Sequence, residues 1–156
     1  MIVLLLSMVG LAAEPESLPA DDAVATRVTA IVAARHMDSC DGVFAAGDSG
    51  DVRDALVQIT EHQAPPWAPM RAASCLAELA PSDAVALTQT RRLIALPDQP
   101  GFTLAVAEKL DRMPAELATD LGRAIWQRSA AEPRLVRRVQ PLLRSSQHAA
   151  VRAVLD

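Results

Sequence analysis

The run Pro69-Met70-Arg71-Ala72-Ala73-Ser74-Cys75-Leu76-Ala77-Glu78-Leu79-Ala80-Pro81-Ser82 decides the fold class. Met70, Ala73, Leu76 and Leu79 recur every third residue, forming one stripe of an amphipathic helix. Ala80-Pro81-Ser82 then closes it, because proline cannot continue a helix and Ser82 is placed to cap the next one. The same punctuation returns downstream. Pro69, Pro100 and Pro133 each precede an apolar helical stripe, and they lie 31 and 33 residues apart. Pro81 and Pro114 are also 33 apart, and Leu79 and Leu110, which close comparable helices, are 31 apart. A unit of helix, break, helix, break at about 32 residues cannot bury its apolar face alone, so it must stack on its neighbours.

The stripes continue in both directions. Residues 21–37 carry Val24, Val28, Ile31 and Val32 on one face. Residues 38–50, interrupted by Gly42, Gly47 and Gly50, are predicted as a loop. Residues 51–62 resume with Val52, Leu56 and Ile59, and Pro65, Pro66 and Pro69 end that helix. Stripes follow at Leu87, Thr90 and Ile94, at Val106 and Leu110, and at Leu117, Leu121 and Ile125. Pro133 opens a helix through Leu135, Val136, Val139, Leu142 and Leu143, with Pro141 predicting a kink. Residues 146–156 are a short terminal helix, making about eight helices and no strand.

Composition agrees. Of 156 residues, 51% are apolar, 22% charged and 3% aromatic. That apolar content is far above a disordered chain's. Alanine supplies 30 residues, Arg outnumbers the single Lys109 fourteen to one, and Phe44, Phe102, Trp67 and Trp126 are the only aromatics. Sheets draw on aromatic and β-branched residues, whereas Ala, Leu and Arg favour helix, so an all-β fold is excluded. The length suits one domain.

Three segments share an apolar-Arg-x-Ala pattern: Asp51-Val52-Arg53-Asp54-Ala55-Leu56, the Pro69–Leu76 run, and Ala150-Val151-Arg152-Ala153-Val154-Leu155. This resembles the core of HEAT-type repeats, where it begins the second helix of each pair and small residues let helices approach. The resemblance covers roughly residues 51–156. Phe102-Thr103 and Leu135-Val136 depart from it, and Gly101 and Trp126 are unusual. The aromatic positions of tetratricopeptide repeats are mostly missing. The resemblance implies an all-α fold of stacked antiparallel helix pairs, a short HEAT-like α-solenoid. An irregular helical bundle is the alternative.

The segment Ile2–Ala13 reads IVLLLSMVGLAA, followed by Glu14-Pro15-Glu16. It is too short to span a bilayer as a helix and fits the apolar core of a signal peptide, cleaved after Ala12 or Ala13. No Lys or Arg precedes it, a departure from the usual pattern. The expected organisation is signal peptide 1–13, flexible leader 14–20 and one helical repeat domain 21–156. A periplasmic or secreted protein with two cysteines invites a bridge between Cys40 and Cys75, the alternative being a small buried thiol at Cys75.

The chemical motifs are weak. Gly47-Asp48-Ser49-Gly50 matches the string around a trypsin-like nucleophile, but such a triad needs a β-barrel to assemble it. Ser49 reads better as a helix N-cap. His36, Asp38, Cys40, Asp41, Asp48 and Asp51 crowd one region without the glycine and glutamate spacing of a calcium loop. His62 and His148 have no partner four residues away and read as surface or boundary residues. No catalytic, cofactor or metal site is predicted.

Charge is graded along the chain. Residues 14–66 carry ten acids against three bases, 67–120 seven against five, and 121–156 two against seven. Arg134, Arg137 and Arg138 fall within one helical turn and project together, as either a solvated face or a site for an acidic partner. Export and the formal net charge of -4 argue against nucleic acid. Membrane contact is expected only through an uncleaved signal segment. The expected function is a non-catalytic protein-binding scaffold whose partner is unknown. Alternatives are a self-associating envelope protein, its acidic and basic ends pairing head to tail, or a hydrolase using the 38–51 loop.

Overall fold

Pro69, Pro100 and Pro133 each stand in the first turn of a helix, where the missing N–H leaves nothing unpaired. The computed structural model describes residues 22–62 and 65–156; the predicted signal segment and leader lie outside them. Among the described residues the fold is all-α. The helices are α1 (Asp22–Ala33), α2 (Asp41–Phe44), α3 (Ser49–Glu61), α4 (Ala68–Leu79), α5 (Ala84–Ala95), α6 (Pro100–Ala107), α7 (Ala115–Ser129), α8 (Pro133–Ser145) and α9 (Ala149–Arg152). Single 3₁₀ turns, Leu110–Arg112 and Ala153–Leu155, follow α6 and α9.

Several local expectations are corrected. The predicted 38–50 loop contains α2, a single turn too short to show a period, held by buried Val43. The stretches 102–113 and 146–156 are shorter α-helices, each finished by a 3₁₀ turn. Asp83, not Ser82, caps α5: its backbone is extended, and its carboxylate accepts from the amides of Val85 and Ala86 at 2.8 and 2.9 Å. Ser49 is the first residue of α3 and Asp48 holds the cap position, with no side-chain cap bond. Met70 is 41% exposed, whereas Ala73 and Leu76 are buried. α4 is covered on several sides by α3, α5 and α6, so its buried surface is wider than one stripe and leaves Met70 at an edge.

Consecutive helices pack in pairs, and alternate helices pack side by side in two rows, α3-α5-α7-α9 and α4-α6-α8. The polar ties within rows recur at nearly constant sequence offset. In the first row, Arg53 meets Asp83 (offset 30), Gln89 meets Thr60 (29), Arg92 meets Glu61 (31) and Arg91 meets Asp120 (29). In the second, Ser74 donates to the Ala105 carbonyl (31) and Lys109 pairs with Glu78 (31). Early residues meet early and late meet late, so neighbours within a row run in the same sense. The apolar-Arg segments do not mark this register: residues 51–56 lie on α3 and residues 69–76 on α4, which are adjacent helices. What repeats is the contact, not the motif.

The helix α1 obeys a different rule. Arg27 Nε donates to the Ala46 carbonyl at 2.8 Å, and Gly47 sits on Val24, so the start of α1 lies beside the start of α3. A Cβ at Gly47 would come within 2.6 Å of Val24. Trp67 Nε1 donates to the Ala33 carbonyl at 3.2 Å, which sets the end of α1 beside the entry to α4. α1 and α3 therefore run in the same sense, and residues 34–48 bring the chain back between them. The Cys40–Cys75 disulfide, with Cα atoms 5.6 Å apart, fastens that return to α4.

Arg71 completes the junction. It donates to the carbonyls of Val32 (3.0 Å), Ala34 and Arg35 (3.3 Å). The last carbonyls of a helix lack internal partners and carry partial negative charge, so a guanidinium satisfies both needs. Arg128 does the same beyond α5, donating to Leu96 and Pro97.

The core has two buried clusters, one around Val28, Leu56 and Leu76, the other around Leu110, Leu121 and Leu143. α5 and α6 serve both. Leu93 joins the first cluster and Ile94 the second; Phe102 joins the first and Val106 the second. This explains the composition of α6, which is apolar all round and buried from Phe102 to Ala107.

Candidate functional site

The row register sets the starts of α4 and α6 side by side, and a solvent-open concavity forms there. It is a cleft of about 500 Å³. Leu93, Leu96 and Phe102 supply apolar lining, while Thr60, Gln89, Glu61 and Arg92 supply polar groups. Gln89 Nε2 donates to Thr60 Oγ1 at 3.3 Å, and Arg92 pairs with Glu61 at 3.4 Å. Those polar groups are thus already engaged, and apart from Gln99 the unengaged part of the cleft is apolar.

Met70 and Gly101 also line a second groove of about 450 Å³, which runs along α4 and α6 past Leu104 and Ala105 to Arg138. Trp67, 43% exposed, flanks it. Trp67 and Met70 are two of the three exposed large apolar side chains among the described residues, and they lie one helical turn apart. A Cβ at Gly101 would stand 2.8 Å from Met70 Sδ, so glycine leaves the thioether its place between the two concavities.

The predicted site residues divide clearly. Cys40 and Cys75 are bridged and buried. An oxidising compartment is the setting in which such bridges persist. Arg134, Arg137 and Arg138 lie on the outer face of α8, exposed, with no ion pair among the described residues; only Arg138 borders the groove. The acidic region 36–51 does not gather: no three His, Cys, Asp or Glu side chains of the described residues are grouped to hold a metal ion. Asp41 instead accepts from Ser39 at 2.9 Å. His62 is exposed and donates through Nδ1 to the Gln58 carbonyl at 2.6 Å. His148 is half-buried at the start of α9, its Nε2 buried without a partner.

The strongest electrostatic knot is structural. Arg53 pairs with Asp54 at 2.7 Å and with Asp83 at 3.2 Å. Burial by itself would lower the Arg53 pKa, but the two carboxylates outweigh it and hold the guanidinium charged. Burial would raise Asp83, yet the Ala86 amide, the Arg53 guanidinium and the Val85 amide together pull its carboxyl below the ordinary value. The knot joins α3 to the cap of α5.

Compared with family models, curated protein sequences and solved structures, the chain matches none. Trp67 and Met70 were hidden from sequence reasoning for different reasons. Met70 fell on a helical stripe and read as core. Trp67 lay inside the proline-rich break, where an aromatic in an aromatic-poor chain was the one available signal.

Proposed function

We propose that this chain is a non-catalytic scaffold whose stacked helix pairs form a short HEAT-like solenoid and bind a protein partner along the α4-α6-α8 row. The observation that carries the reading is the offset of about 31 residues between facing side chains. That offset sets Met70 of α4 against Gly101 of α6, and the groove they line reaches Arg138 on the next helix of the row. Such a surface offers shape and charge to a partner. The signal-like segment 1–13 and the disulfide together support export to a periplasmic or secreted location.

The test is capture from an extract of the oxidising compartment, with Arg134→Glu/Arg137→Glu/Arg138→Glu as the control. A protein recovered by the wild-type chain and lost from the triple variant is the expected outcome. Equal recovery removes the basic face from the interface. The charge gradient favours one second reading, head-to-tail self-association. Sedimentation that shows salt-sensitive oligomers would support it, and a salt-independent monomer would dismiss it.

A further inference from the structure

Two features meet at the α4-α6-α8 row. One is apolar: Trp67 and Met70 stand open to solvent beside a cleft whose apolar lining includes Leu93, Leu96 and Phe102. The other is cationic: Arg138, at the far end of the adjoining groove, makes no hydrogen bond or ion pair among the described residues. Glu108 borders the same groove and is not paired with it. Arg134, one turn away on α8, adds a second unpaired guanidinium. A single ligand can cover the exposed apolar side chains and complement the charge at once.

We infer that this groove takes an extended, acidic peptide segment of a partner protein. One bulky apolar side chain would occupy the cleft beside Met70, and one side-chain carboxylate would face Arg138. The inference rests on the scaffold reading and names its ligand. Geometry fixes the spacing. Neighbouring helices pack about 8–10 Å apart, so α4 and α8, with α6 between them, have axes roughly 18 Å apart. The arginine side chain spans about 6 Å of that, and an extended chain advances ~3.4 Å per residue. The apolar anchor and the carboxylate are therefore about three to five residues apart.

The experiment uses the full chain with its disulfide intact. Fluorescein-labelled dodecapeptides, acetylated and amidated at their ends, carry one Phe and one Asp at separations from two to eight in a Gly/Ser background. Binding is read by fluorescence anisotropy. Amidation removes the terminal carboxylate, and a matched set with free C-termini and no Asp tests that source separately. Affinity is expected to peak at separations of three to five. Phe→Ala in the peptide should weaken it about tenfold or more, as loss of a buried aromatic does. Asp→Lys in the peptide, or Arg138→Glu in the protein, should each weaken it about five- to tenfold. Arg138→Glu should also accept the Lys peptide better than the Asp peptide. Met70→Lys should lower affinity, and Val85→Ser, at an exposed apolar site elsewhere, should not. All three substitutions sit on the surface, and unchanged thermal melting confirms the fold.

Affinity independent of spacing, stronger binding by the free-terminus set, or indifference to Arg138→Glu would each overturn the inference. A captured protein partner that survives both Met70→Lys and Arg138→Glu would sink the groove while the scaffold stands. No peptide binding and no captured partner would remove both.

Discussion

Removing the Cys40–Cys75 bridge should destabilise the fold by several kcal/mol. The bond joins residues 35 apart and encloses α2, α3 and the first two turns of α4. In the chain-entropy treatment, closing a loop of that length lowers the denatured state's entropy by about 12–13 cal/mol/K, or ~4 kcal/mol at 25 °C. A domain of this size is stable by roughly 5–15 kcal/mol, so the loss is a large fraction of the whole. The native side contributes little to the difference. Both sulfurs are buried, and alanine at each position leaves only a small void. The assay is urea unfolding of wild type and Cys40→Ala/Cys75→Ala, followed by far-ultraviolet circular dichroism. The expected result is a lower midpoint equivalent to about 3–4 kcal/mol, with a steeper slope because the freed denatured chain exposes more surface. Reduced wild type should match the variant. A difference under ~1 kcal/mol would refute the reasoning, since the 34–48 return would then hold its place without the bond. A loss confined to the α1 region, visible as early amide exchange at Val28 and Val32, would instead show that the bridge secures a separable unit.

Two further outcomes follow from the packing. Asp83→Ala should cost about 1–2 kcal/mol as the α5 cap is lost, and Asp83→Asn less, because an acceptor oxygen remains. The Asp83 carboxyl is held below its ordinary value of 3.8, so its contribution is complete above that pH and fades as pH falls through the folded value; the gap in melting temperature between wild type and Asp83→Asn should therefore narrow below pH 3.8, and a gap that widens there contradicts the assignment. Gly122→Ala should stabilise the protein: a Cβ meets Val151 at 3.4 Å and Leu110 at 3.7 Å, ordinary contacts, and mid-helix alanine is favoured over glycine by about 1 kcal/mol. A fall in melting temperature would mean that the α7–α9 approach has no room for a methyl.

The helices α3 to α8 were legible because their signals are local. Stripes such as Val52-Leu56-Ile59 and Leu121-Ile125 are buried largely as their spacing demands, and the prolines mark the helix starts. What was not legible depends on tertiary approach. No local feature of residues 34–48 says that α1 will run in the same sense as α3. That is decided by Gly47 against Val24 and by Arg71 reaching back 36 to 39 residues to spare carbonyls. The exchange of Ser82 for Asp83 as cap has the same character. Both residues cap helices well, and Arg53, thirty residues away, completes the arrangement that uses Asp83. The groove was invisible for a related reason: it belongs to no single helix, and its members are brought together only by the register of a row.

The arginines sort themselves by that register. Arg27, Arg53, Arg71, Arg91, Arg92, Arg112, Arg128 and Arg152 each tie one segment to another through a carbonyl or carboxylate. Arg35, Arg123 and the four on α8, namely Arg134, Arg137, Arg138 and Arg144, make no such tie among the described residues, although carboxylates exceed bases in the chain as a whole. Arginine stands at fourteen of the fifteen basic positions, so its presence on α8 does not decide between a solvated coat and a recognition face; a planar guanidinium is the better group where a carboxylate must be met at a partly dry surface. Replacing all four by lysine therefore separates the two roles. It preserves charge and solubility, so a coat is indifferent to it, while a recognition face loses the forked hydrogen bonds that only arginine makes.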